Sequence, residues 1–95
     1  MQITDVKIRK LLVGGSTKAV VSVTFEGQLA VHDIKIFYLG GKYFVAMPRR
    51  KAPDGRFRDT VHPICPQFRA ELERAVLEAF AVALSQVGQK DRADT

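Results

Sequence analysis

Apolar and polar residues alternate with a period of two through the first half of this chain, then switch to a period of three to four. Val6 and Ile8 alternate with Asp5, Lys7 and Arg9, which predicts a strand near residues 2–11. Ala19, Val21, Val23 and Phe25 alternate with Val20, Ser22, Thr24 and Glu26 in a second. A third runs from Leu29 to Leu39 and a fourth from Tyr43 to Met47. Gly40-Gly41 separates the last two, and a two-residue hairpin turn needs positive φ at both positions, which suits a glycine pair. That turn sets Ile34, Ile36 and Tyr38 opposite Met47, Val45 and Tyr43. A turn centred on Gly27-Gln28 sets Ile34 and Ile36 opposite Val21 and Ala19, with His32 opposite Val23. Both hairpins put Ile34 and Ile36 on one apolar face, so the four strands read as an antiparallel meander.

Beyond residue 65 the apolar positions are Phe68, Leu72, Ala75, Val76, Ala79, Phe80, Ala83, Leu84 and Val87, a helical stripe. Pro66 suits a first helical turn and Gly88 an end, so the pattern predicts one long helix over 66–87, lying on the sheet face that carries Ile34 and Ile36. The fold class is α+β, a single domain over residues 1–88 followed by a disordered polar tail at 89–95. The reverse sheet face would carry Val20, Leu29, Val31, Phe37 and Phe44 beside Thr24, Asp33 and Lys35. Leaving five such side chains in water forgoes roughly 1.5–3 kcal/mol each. Either a second subunit covers part of this face or the strand bends enough to hide it; contiguous apolar patches mark interfaces, which favours a homodimer built on Val31, Phe37 and Phe44.

The chain has 95 residues, 46% of them apolar, which suits one small folded domain. No apolar run approaches the ~18 residues of a membrane span, and residues 1–5 lack a signal-peptide pattern. The single cysteine, Cys65, fits a reducing cytoplasm. The net charge of +5 is concentrated: residues 48–63 hold five cations against two acids, and three of the four prolines. Pro53 sets a turn angle there, and Asp54 and Gly55 complete it. Arg49, Arg50, Lys51, Arg56 and Arg58 thus sit on a shaped basic loop between the meander and the helix, and such a loop calls for an anionic partner. If all five met duplex phosphates, log K would fall against log salt with a slope of about −4.5. Asp54 and Asp59 are the counterweight, since internal ion pairs would neutralise part of the patch. Phe57 lies between Arg56 and Arg58. It reads as the core anchor of the loop, with stacking on a base as the less favoured alternative, because base-stacking platforms use several rings and no second aromatic is interleaved with these cations.

Catalytic and metal chemistry lacks parts. His32 and His62 are the only imidazoles, Cys65 the only thiol, and no C-x-x-C or H-x-x-x-H occurs. His62 and Cys65 are close in sequence, but Cys65 falls at the position before the helix and no third group orients the pair. His32 reads as a core-edge residue with a local hydrogen bond. Gly14-Gly15 and Gly40-Gly41 form no phosphate-binding glycine motif. The sequence predicts no enzyme, cofactor, metal, membrane partner or small-molecule substrate.

Several segments together resemble one known family. Ile-Thr-Asp-Val-Lys-Ile-Arg at 3–9, Val-His-Asp-Ile at 31–34, Phe-Val-Ala-Met-Pro at 44–48, Pro-Asp-Gly at 53–55, Phe-Arg-Asp at 57–59 and His-Pro at 62–63 look like the SpoVG family, bacterial proteins named for sporulation and septation phenotypes. The resemblance spans about residues 2–87. It implies a small α+β homodimer acting as a cytoplasmic regulator that binds DNA or RNA. Arg50 and Lys51 match the family's basic residues after Met-Pro, which are implicated in binding, and the implicated helix start brings in Arg69. Arg56 stands where many members carry an acid, and Cys65-Pro66 replaces a Ser/Thr-rich helix start.

The expected function is therefore a nucleic-acid-binding regulator of gene expression, using Arg49, Arg50, Lys51, Arg56, Arg58 and Arg69. The rival expectation is a protein-interaction module whose basic loop docks an acidic partner.

Overall fold

A computed structural model describes the backbone of residues 1–12 and 14–93 and the side chains as far as residue 86. Strands β1 (Ile3–Leu11), β2 (Thr17–Phe25), β3 (Leu29–Leu39) and β4 (Lys42–Ala46) form one antiparallel sheet in the order β1-β2-β3-β4. The residues expected as a loop form a second, two-stranded sheet, β5 (Arg49–Lys51) with β6 (Phe57–Asp59), and α1 (Pro66–Ala93) follows. The architecture is the expected α+β meander and helix.

One sheet face and one helix face make the core. Ala19, Val21, Val23, Phe25, Ile34, Ile36 and Met47 are buried against Leu72, Val76 and Phe80 of α1. The three helical residues recur every four positions, so they share one side of the helix. Rings close the two ends of this layer: Phe68 lies 5.6 Å from Phe25, and Phe80 packs edge-on against Tyr43 at 5.2 Å. The Cys65 carbonyl accepts from the Arg69 amide at 2.9 Å, so Cys65 holds the N-cap position and Pro66 begins the helix where its missing N–H is harmless. The stripe runs out before the helix does, since Val82 and Leu84 are exposed. α1 also continues past Gly88, where the sequence predicts its end. An interior glycine costs a helix only about 1 kcal/mol against alanine, and Gln89, Lys90, Arg92 and Ala93 favour helix. The rest of the expected tail, residues 94 and 95, lies outside the described residues, as does the side chain of Val87.

The turn at Gly40-Gly41 has positive φ at both residues (59° and 83°), and Leu39 pairs with Lys42, Tyr38 with Tyr43 and Ile36 with Val45, all in the expected register. The β2–β3 connection differs. Phe25 pairs with Leu29, which leaves a three-residue loop, with Glu26 and Gly27 at positive φ. One extra loop residue turns every following side chain to the opposite face. The strand reverses this at a β-bulge, where His32 and Asp33 together face Ser22, with Asp33 at φ 64°. Beyond the bulge Ile34 pairs with Val21 and Ile36 with Ala19, as expected; before it, Val23 pairs with Val31 rather than His32.

This local shift corrects the reverse face. Leu29 and Val31 turn to the helix side, and Val31 packs against the core. The apolar residues left on the reverse face are Val20, Phe37 and Phe44, and register places Lys7, Lys10 and Lys35 among them. That face is cationic with a few rings, not an apolar slab.

Candidate functional site

The basic segment is a hairpin because its turn chemistry closes it. The Gly55 amide donates to the Ala52 carbonyl at 2.9 Å, which makes Pro53 and Asp54 the central residues of a β-turn. Gly55 then adopts φ 86°, a conformation that favours glycine. Asp54 Oδ1 accepts from the Arg56 amide at 3.0 Å, and the Ala52 amide donates to the Arg56 carbonyl at 2.7 Å. At the neck, the Thr60 amide and hydroxyl both donate to the Pro48 carbonyl, at 2.8 and 3.2 Å. The arginines thus stand on a braced ribbon.

Register sorts the charges. Arg49 pairs with Asp59, Arg50 with Arg58 and Lys51 with Phe57. Arg49 Nε lies 3.4 Å from Asp59 Oδ1, and Arg58 donates to Asp54 Oδ2 at 3.3 Å. Two of the five cations therefore have internal partners, although exposed ion pairs such as these hold their geometry with only about 0–1 kcal/mol. Among the described residues no acid pairs with Arg50, Lys51 or Arg56. Arg50 and Arg58 sit directly across the ladder, a like-charge arrangement that is unfavourable until an anion comes between them. A shallow hollow lies at this place, bordered by Arg50, Lys51, Pro53 and Arg58.

Phe57 is not the core anchor that the sequence suggests; its side chain is 65% exposed. It borders a cleft of about 770 Å³ between the hairpin and the reverse face of the sheet, together with Asp33, Lys35, Phe37, Arg49 and Arg50. Sequence reasoning missed the sheet residues of this cleft. The signal for them was the excess of apolar residues on the reverse face: the bend in the strand, the alternative there to a second subunit, is the bulge in β3. Arg69 lies apart, half-buried on α1, and borders neither of the two hollows that the hairpin lines.

The remaining candidates have local roles. His62 Nδ1 lies 3.2 Å from the Pro63 carbonyl, and the Cys65 thiol donates to Gln67 Oε1 at 3.5 Å, so each of the two has a different neighbour. Both border an apolar hollow of about 430 Å³ beside the start of α1, walled by Phe25, Val31, Met47 and Phe68. His32 is exposed rather than at the core edge, and its hydrogen bond crosses to the neighbouring strand rather than staying local: Nδ1 lies 2.8 Å from the Ser22 hydroxyl, which also accepts from Arg9 Nε at 3.1 Å. No described helix is long and apolar enough to cross a membrane.

Against known proteins, the family model SpoVG matches residues 1–82. The chain belongs to the SpoVG family. Among its relatives, a SpoVG protein of Clostridium perfringens (strain SM101 / Type A), named for septation, is 51% identical over 80 residues, covering 84% of this chain and 89% of the relative. The relative of the same name in Desulforudis audaxviator is 54% identical over 80 residues, covering 84% and 91%. One in Clostridium novyi (strain NT) is 42% identical over 94 residues, covering 99% and 94%. Both the hairpin and the bulged strand therefore lie inside the SpoVG match, whereas the last turns of α1 lie beyond it.

Proposed function

We propose that this SpoVG-family protein is a cytoplasmic nucleic-acid-binding regulator of gene expression, acting in septation, that grips the phosphate backbone of DNA or RNA with its β5–β6 hairpin. The supporting observation is the braced ribbon that holds Arg50, Lys51 and Arg56 without acidic partners among the described residues and sets Arg50 across from Arg58. Arginine's planar fork takes phosphate in two places, and a phosphate between two facing guanidiniums removes their repulsion. Lys7, Lys10 and Lys35 on the adjoining sheet face extend the positive field. The septation role rests on the names of the relatives. Arg69 contributes at most an outlying contact.

With three hairpin cations unpaired among the described residues, log K against log salt falls with a slope of about −2.7 on duplex and about −2.1 on single strands. Release of the Arg49–Asp59 and Arg58–Asp54 pairs on binding moves the duplex slope toward about −4.5. Fluorescence anisotropy of labelled oligonucleotides across a salt series measures this. No binding to any nucleic acid, with a stable complex to an acidic protein, would replace this reading with the rival one.

A second copy of the chain completes the proposal. β4 is an edge strand of the four-stranded sheet and Phe44 on it is 49% exposed, so a homodimer through this edge covers both. Phe44→Arg is expected to shift sedimentation from dimer to monomer; a monomeric parent protein, or a variant that stays dimeric, would contradict it.

A further inference from the structure

We infer that the cleft between the hairpin and the bulged sheet face takes one unstacked base, and that single-stranded nucleic acid is therefore the preferred ligand. The inference rests on the proposed nucleic-acid reading and adds to it a strand state and a base site. The objection to base stacking from sequence was the lack of a second ring near Phe57. Folding supplies one from elsewhere in the chain, since Phe37 of β3 borders the same cleft. Phe57 itself is largely exposed and packs in no core, so its ring face is free for a planar partner.

Charge in the cleft is arranged for a nucleotide and not for a phosphate alone. Lys35, Arg49 and Arg50 are positive, but Asp33 is in the wall as well. A carboxylate repels phosphate and accepts from the N–H groups on a base edge. Asp33 is set there by the β-bulge, at φ 64°. Were the cleft a phosphate site, that acid would oppose its own ligand. With a base inside and the backbone running over the arginines, Asp33 meets N–H groups of the base and the arginines meet phosphate. The volume of about 770 Å³ lies within the range of small-ligand pockets. In a duplex both faces of each base are stacked and the Watson–Crick edge is paired, so only an unpaired strand offers this group cheaply.

The test compares a single strand of about 12 nucleotides, carrying 2-aminopurine, with its blunt duplex at one salt concentration. The parent protein, Phe57→Leu, Phe37→Leu and the Arg50→Ala/Lys51→Ala double variant are measured. Phe57 is exposed, so its variant is expected to fold; melting curves check the half-buried Phe37. The parent is expected to bind the single strand at least about tenfold more tightly and to change 2-aminopurine emission on binding. Phe57→Leu is expected to lose about 5- to 150-fold on the single strand, the range for stacking on one base, and less than about twofold on duplex. Equal affinity for both strand states, or a Phe57→Leu loss that is absent or equal on both, overturns the base site while leaving phosphate binding through Arg50 and Lys51 intact. Absence of binding to either strand, by contrast, removes the nucleic-acid reading and the base site together.

Discussion

Replacing Arg50 and Lys51 together by alanine is expected to weaken duplex binding about 30-fold near 0.15 M salt and to reduce the salt slope on duplex by about 1.8. The size follows from counterion release. Each phosphate neutralised contributes about 0.9 to the slope, so two contacts are worth about 1.5 decades between 1 M and 0.15 M salt. Both residues are exposed, and Arg50 faces Arg58 across the ladder, so the substitutions relieve repulsion and leave the fold intact. Loss should be similar across sequences, because phosphate contacts position a protein without reading bases. Anisotropy titrations at several salt concentrations check it. An unchanged slope would mean that the hairpin does not meet the backbone, even if the protein binds. Arg49 and Arg58 make poorer first targets, since removing either also frees Asp59 or Asp54 to repel the ligand.

Ile36→Ala is expected to destabilise the domain by about 2–5 kcal/mol. A domain of this length holds roughly 5–14 kcal/mol in all. Ile36 is fully buried in β3, between Ala19 of β2 and Val45 of β4, beneath the layer formed by Leu72, Val76 and Phe80. Its truncation leaves a void beside Ala19 and Val45, whose strands are held in place by the hydrogen-bonded ladder and cannot move in to fill it. For a chain of under 100 residues such a loss lowers the melting temperature by about 10–30 °C. Ile64→Ala is the matched control, because Ile64 is 90% exposed and surface changes of this kind stay within about 0.5 kcal/mol. Circular dichroism melts measure both. Similar melting of the two variants would contradict the helix-on-sheet core.

The elements with clear local patterns were legible from sequence. Gly40-Gly41 fixes the β3–β4 register because few other residues adopt its turn, and the four-residue spacing of Leu72, Val76 and Phe80 identifies the buried side of α1. The Ala52–Gly55 turn was legible for the same reason, and Arg56-Phe57-Arg58 alternates like a strand, whereas elements as short as β5 and β6 carry too few residues to reveal that they pair. The bulge at His32–Asp33 was hidden because two departures cancel: a loop one residue longer than expected and a bulge of one residue restore the register at Ile34. Only Leu29 and Val31, between the two, betray them. The candidate site was half legible. Its cations are contiguous in sequence, but Lys35, Phe37 and Asp33 join them only through the fold, and Phe57 was assigned to a core that had no place for it.

The central claim is that the β5–β6 hairpin, with the sheet face beside it, is where nucleic acid is held. Titrating the isotope-labelled protein with a short oligonucleotide and following its backbone amide resonances tests this residue by residue. The account predicts that the shifts concentrate in residues 49–59 and around Lys35 and Phe37, with the amides of the Val76–Phe80 turn of α1 unmoved. Shifts confined instead to the apolar hollow around Val61, Ile64 and Phe68 would contradict it.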